Sequence, residues 1–102
     1  MKEANMITMH PGEYLQISYM EPHRLTQKEL AASLGVSTAA VSRLLAGKSD
    51  LSPEMAVRLQ LVFGRSAESW MSMQTSHSLA LAKAAVDPAS IRPIFLGEKD
   101  AA

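Results

Sequence analysis

The strongest constraint on the fold is a repeated pattern of helix starts and stops. Thr26, Ser37, Ser52 and Ser66 each stand just before a run with helical spacing, and Gly35, Gly47 and Gly64 each stand just after one. A hydroxyl before a helix accepts a hydrogen bond from one of its free N–H groups, and glycine ends a helix because it adopts the left-handed conformation without strain. Thr26 with Glu29 makes a capping box, and Leu25 with Leu30 supplies the two ends of a hydrophobic staple. Val36 and Val41 repeat that staple around Ser37, while Ser52-Pro53 joins a cap to a proline at the first helical position. The pattern predicts helices from Gln27 to about Leu34, from Ser37 to Gly47, from Pro53 to Phe63, and from Ala67 to about Ala85. Upstream, Pro11 to about Met20 also reads as a helix, with Pro22 ending it. Five helices with such short links predict a compact all-α bundle. The segment IRPIFL, Ile91 to Leu96, alone resembles a strand, and Pro93 limits it to an edge strand or an extended arm.

A chain of 102 residues supports one such domain, placed at 1–86, with a tail at 87–102 that is extended or flexible. No apolar run is long enough to span a bilayer. The opening MKEANMITMHPGEY lacks the apolar core of a signal peptide. With no cysteine, disulfides and thiolate metal sites are excluded. A cytoplasmic protein without membrane or cofactor is expected. The net charge is zero, but residues 24–65 hold six basic side chains (Arg24, Lys28, Arg43, Lys48, Arg58, Arg65) against Glu29, Asp50 and Glu54. That surplus is compatible with a polyanionic partner and equally with a solvated surface.

The helix pair at about 26–47 has a specific geometry. Two helices meeting at a large angle through a short turn need a small residue where they touch, and Ala31 meets this need. Gly35 sits at the turn, and Leu30, Leu34, Val36, Val41, Leu44 and Leu45 follow helical spacing toward a core. The opposite face of the second helix offers Ala39, Ser42, Arg43 and Ala46, with Thr38 at its start. A recognition helix presents such a face to the major groove of double-stranded DNA. Arg43 can bond guanine with two N–H groups, Thr38 and Ser42 can reach a base edge or a phosphate, and the methyls of Ala39 and Thr38 can pack on thymine. Gln27, Lys28 and Lys48 are placed for phosphate contacts.

At these residues, TQKELAASLGVSTAAVSRLLAGK resembles helix-turn-helix domains of the Cro and lambda-repressor type. HPGEYL, from His10, and SPEMAVRLQLVFGRSAESWMSMQ, from Ser52, are similar to the HigA-type, or VapI-like, antitoxins. The resemblance covers about residues 9–80 and places Gln27, Thr38, Ala39, Ser42 and Arg43 at that family's DNA-facing positions. It implies an antitoxin that neutralises a cognate HigB-type toxin, one that cleaves mRNA on the ribosome, and that represses its own operon as a homodimer. After Gln74 the family often has an aromatic-acid pair where this chain has His77-Ser78. The resemblance assigns no toxin-contacting residues here.

Trp70, Met73, His77 and Leu81 form a stripe along the last predicted helix, read either as core packing or as a dimer interface. His10, His23 and His77 lack metal-ligand spacing, and His10 before Pro11 belongs to the helix start. GVSTA, from Gly35, has the outline of a nucleophile elbow but lacks its last glycine and a preceding strand, so Ser37 is a cap and no enzyme is expected. The tail is open to three readings: a loose arm, a dimer-pairing strand or a toxin contact. Two other functions fit the same helix pair: a repressor with no toxin, and a toxin-binding module with no DNA role.

Overall fold

The computed structural model describes residues 8–95, and among them it contains five helices and no strand. Helix α1 is continuous but changes pitch: Pro11–Leu15 is α-helical, Gln16–Met20 is π-helical, and Glu21–His23 returns to α. The others are α2 (Gln27–Leu34), α3 (Thr38–Leu45), α4 (Pro53–Phe63) and α5 (Ala67–Ala85), followed by a 3-10 turn at Pro88–Ser90.

The starts follow the caps. Both bonds of the Thr26–Glu29 capping box form, at 2.9 and 3.0 Å. Ser37, Ser52 and Ser66 accept from the backbone N–H of Ala40, Met55 and Ser69 at 3.0, 3.1 and 3.0 Å. The ends of α2, α3 and α4 turn left-handed at Gly35, Gly47 and Gly64. At Gly35 the Val36 N–H reaches back to the Ala31 carbonyl, and at Gly47 the Lys48 N–H reaches the Arg43 carbonyl. This six-residue closure satisfies carbonyls the helix leaves open.

One expectation needs correction. Helix α1 does not stop before Pro22 but runs through it to His23. The π turn explains this: the Glu21 N–H bonds the Gln16 carbonyl, five residues back. At that spacing the carbonyl that a proline ring would strike in an α-helix is displaced. The stop is then made by Arg24, whose φ of 55° places it in the left-handed region. IRPIFL, read as an edge strand or an extended arm, makes no strand where it is described, at Ile91 to Phe95, and Leu96 with the rest of the tail lies outside the described residues.

The core joins Leu15 and Met20 of α1 to Leu30, Ala31 and Leu34 of α2, Val41, Leu44 and Leu45 of α3, Leu51, Ala56 and Leu59, and Trp70 of α5. Tyr14 and Tyr19 pack on Trp70, and Phe63 packs on Tyr19 with ring centres 4.3 Å apart. Helix α5 buries only Trp70 and Gln74, both in its first half, and its second half projects from the bundle. The molecule accordingly measures 54 × 24 × 22 Å, with a radius of gyration of 17.3 Å. A compact chain of this length has about 13 Å.

Candidate nucleic-acid interface

Helix α3 is divided along its length. Val41, Leu44 and Leu45 are buried, while Thr38, Ala39, Ser42, Arg43 and Ala46 are all exposed, and so are Gln27, Lys28 and Lys48. Eight side chains expected at a DNA surface therefore reach solvent, five of them on α3 or its C-cap. Four of those five are short, so the backbone of α3 can come close to whatever it meets. Arg43 is the one long donor among them.

The position of α3 is set from behind by α1. A Cβ on Gly12 would overlap the Leu44 carbonyl, so α1 and α3 touch backbone to backbone. Gln16 Nε2 donates to the Leu45 carbonyl at 3.2 Å. His10 Nδ1 accepts from the Gly12 N–H at 2.9 Å, capping α1, while its Nε2 lies 3.0 Å from the Ser49 carbonyl. The two bonds together assign the ring proton to Nε2, which donates to Ser49. One imidazole thus starts α1 and anchors the loop after α3.

The turn between α2 and α3 is held from α4. Arg58 Nη1 donates to the Leu34 carbonyl at 2.8 Å and to the Gly35 carbonyl at 3.4 Å. Glu54, one turn earlier on α4, holds the guanidinium through Nε at 3.2 Å and Nη2 at 2.9 Å. A cation at the C-terminus of α2 also meets the negative end of its helix dipole. The buried Gln74 fixes the loop before α4: its Oε1 accepts from the Leu51 N–H at 2.7 Å, and its Nε2 donates to Ser78 Oγ and Asp50 Oδ1 at 3.0 and 3.3 Å.

These contacts sort the basic residues of the central segment. Arg58 is engaged with α2, and Arg65 donates to the Tyr14 hydroxyl at 2.6 Å with its guanidinium 4.7 Å from that ring's centre. Arg24, Lys28, Arg43 and Lys48 are exposed and make no ion pair among the described residues. Sequence reasoning could not see the supporting roles of Gln16, Arg58 and Arg65, because each depends on a partner at least 20 positions away.

The stripe on α5 does not form one surface. Trp70 has no exposed area; it stands edge-on to Tyr14, with ring centres 5.6 Å apart, and has nothing to offer a second chain. Met73 is half-buried on the core. His77, also half-buried, hydrogen-bonds Thr8 at 3.1 Å and stands edge-on to His10 at 5.6 Å. Leu81 alone of the four lies on the projecting part, 61% exposed. The remaining histidine, His23, bonds the Tyr19 carbonyl at 2.9 Å.

Known proteins share this arrangement. The helix-turn-helix family model matches residues 17–70. The helix-turn-helix-type transcriptional regulator YddM of Escherichia coli (strain K12) is 37% identical over 92 residues, which is 90% of this chain and 95% of that protein. Antitoxin HigA-1 of Vibrio cholerae is 31% identical over 74 residues, 72% of this chain and 70% of the antitoxin. The solved structure of the Pseudomonas aeruginosa antitoxin HigA with the higBA promoter superposes with a TM-score of 0.79 at 33% identity, covering 87% of this chain and 100% of that one. These relatives are regulators and antitoxins rather than enzymes. The HPGEYL start, the α2–α3 pair held on α1 and α4, and these matches agree: this chain belongs to the Cro and lambda-repressor type of helix-turn-helix proteins, in the group that includes the HigA antitoxins.

Proposed function

We propose that this protein is an antitoxin that represses its own operon, binding operator DNA as a homodimer and neutralising a cognate toxin that cleaves mRNA on the ribosome. The observation that carries the DNA role is the exposed α3 face, Thr38, Ala39, Ser42, Arg43 and Ala46, fixed from behind by Gly12 and Gln16. The mechanism is occupancy. The α3 face enters the major groove, Arg43 bonds a guanine, and Gln27, Lys28 and Lys48 hold phosphates on either side. The Pseudomonas relative was solved with promoter DNA, which supports a DNA role for this chain.

A two-fold partner lets two such faces read half-sites about one helical turn apart. The projecting half of α5 suits that partner. Leu81, 61% exposed, continues the helix face of Met73 and His77 there, whereas Leu79 and the C-cap Val86, seven positions apart, lie on the opposite side at 50% and 54% exposure. The dimer surface is therefore centred on Leu81, beyond Met73 and His77.

The deciding experiment is a gel shift with the DNA upstream of the gene. Arg43→Ala should weaken binding by roughly 1–3 kcal/mol and relax preference at one base position. Unchanged affinity would remove Arg43 as a reader. The toxin role is checked by co-purification with the product of the adjacent gene. Capture of a small basic protein supports it, and its absence leaves a repressor without a toxin. Toxin capture with no salt-sensitive DNA binding would instead identify a toxin-binding module.

A further inference from the structure

Arg24 is the one described residue other than glycine with a left-handed backbone, at φ 55° and ψ 39°. That conformation presses an L side chain against its own backbone, and glycine alone escapes the penalty. The other three left-handed helix ends of the fold use glycine, at Gly35, Gly47 and Gly64. The backbone here needs a left-handed residue, because the Leu25 N–H reaches back to the Met20 carbonyl at 2.9 Å across the turn. It does not need an arginine. Among the described residues nothing compensates for one either: the side chain is exposed and pairs with no carboxylate there.

The placement of the other basic residues narrows what Arg24 does. Of the six in the central segment, Arg58 and Arg65 serve the fold. Lys28, Arg43 and Lys48 belong to the proposed DNA surface, and Arg24 is left over. It stands two residues before the Thr26 cap and three before Gln27, a stretch of at most about 10 Å. An arginine side chain with a phosphate oxygen at its tip spans most of that distance. A guanidinium offers two parallel N–H bonds to one phosphate, and unlike a lysine it does so in a fixed plane.

We infer that Arg24 is a phosphate clamp, gripping the DNA backbone beside the phosphate held by Gln27 and Lys28, and that the strained backbone is tolerated for that contact. The inference rests on the DNA-binding reading above. Each protomer then brings four cations to the duplex, three for phosphates and Arg43 for a base.

The test uses the full chain and a fluorescein-labelled duplex that the wild type selects from a random-sequence pool. Anisotropy is read across a salt series, beside thermal melts. Arg24→Gly and Arg24→Asn both suit a left-handed backbone and lack charge. They should melt at or above the wild-type temperature. They should bind roughly tenfold more weakly per bound protomer at 0.1 M salt, with the slope of log affinity against log salt shallower by about one per protomer. Discrimination against a scrambled duplex should not change, and Arg24→Lys should keep the wild-type slope. The clamp is overturned if both neutral variants keep the wild-type slope, if they select a different sequence, or if all three variants melt lower than the wild type. A wild-type chain that binds no duplex would overturn the DNA reading itself, and the clamp with it.

Discussion

At the scale of single residues, Gly12 and Arg43 act on α3 from opposite sides. Gly12 lets α1 come so close that the Leu44 carbonyl occupies the place of a side chain. Gly12→Ala therefore sets a methyl against rigid backbone, and no rotamer relieves the clash. We expect a loss of about 1–3 kcal/mol of stability, read by urea denaturation. DNA affinity should fall further than that loss explains, since α3 must shift to make room. Wild-type stability in this variant would mean that α1 and α3 are not in direct backbone contact. The importance of Gly12 is not visible in HPGEYL, because the atom that forbids a side chain lies 32 positions away in Leu44. That of Arg43 is visible, since a lone charge on a face of small residues needs only helical spacing to be found.

Helices and turns pose a different question, that of how the angle between α2 and α3 is set. The local part is in the sequence: Thr26, Ser37 and Gly35 cap the two helices and make the turn. Ser37→Ala should cost about 1 kcal/mol by leaving the Ala40 N–H unbonded at the start of the reading helix. Gly35→Ala adds a left-handed strain of roughly 1–2 kcal/mol. Its Cβ also lies 3.1 Å from Arg58 Nη1, so it disturbs the clamp that α4 places on α2. Thermal melts of the two single variants and the double variant should show non-additive losses if the caps and the clamp hold one unit. The π turn of α1 was beyond local reading. Pro22 announces a helix end, and only the widened turn before it, paired with Arg24 as the stop, lets the helix continue.

For the whole molecule the governing fact is length. The molecule is 54 Å long and only 24 × 22 Å across, and the second half of α5 extends beyond the core. The projecting end bears Leu81 on one side and Leu79 with Val86 on the other, and the Leu81 side is the surface for the proposed two-fold partner. Leu81→Glu should leave the fold intact, because the residue is outside the core, and should shift sedimentation toward the monomer. Operator binding should then depend on the square of protein concentration over a wider range. A dimer that persists at the same concentrations would exclude the Leu81 side of α5 as the interface. The counterpart is Trp70: its truncation should unfold the protein, since the ring is the centre of the aromatic cluster.

The five helices, their caps, the turn at Gly35 and the solvent face of α3 were determined by sequence alone. Each depends on interactions within about four positions, which helical spacing and capping chemistry express directly. Tertiary structure decided the rest. It placed Trp70 in the core rather than on a dimer surface. It assigned Arg58 and Arg65 to the fold and left Arg24 in solvent, and it made His10 the link between α1 and the loop after α3. The same residue type serves the fold at one position and faces solvent at another. What separates the two is whether an acceptor from a distant part of the chain comes within hydrogen-bond reach, and only packing settles that.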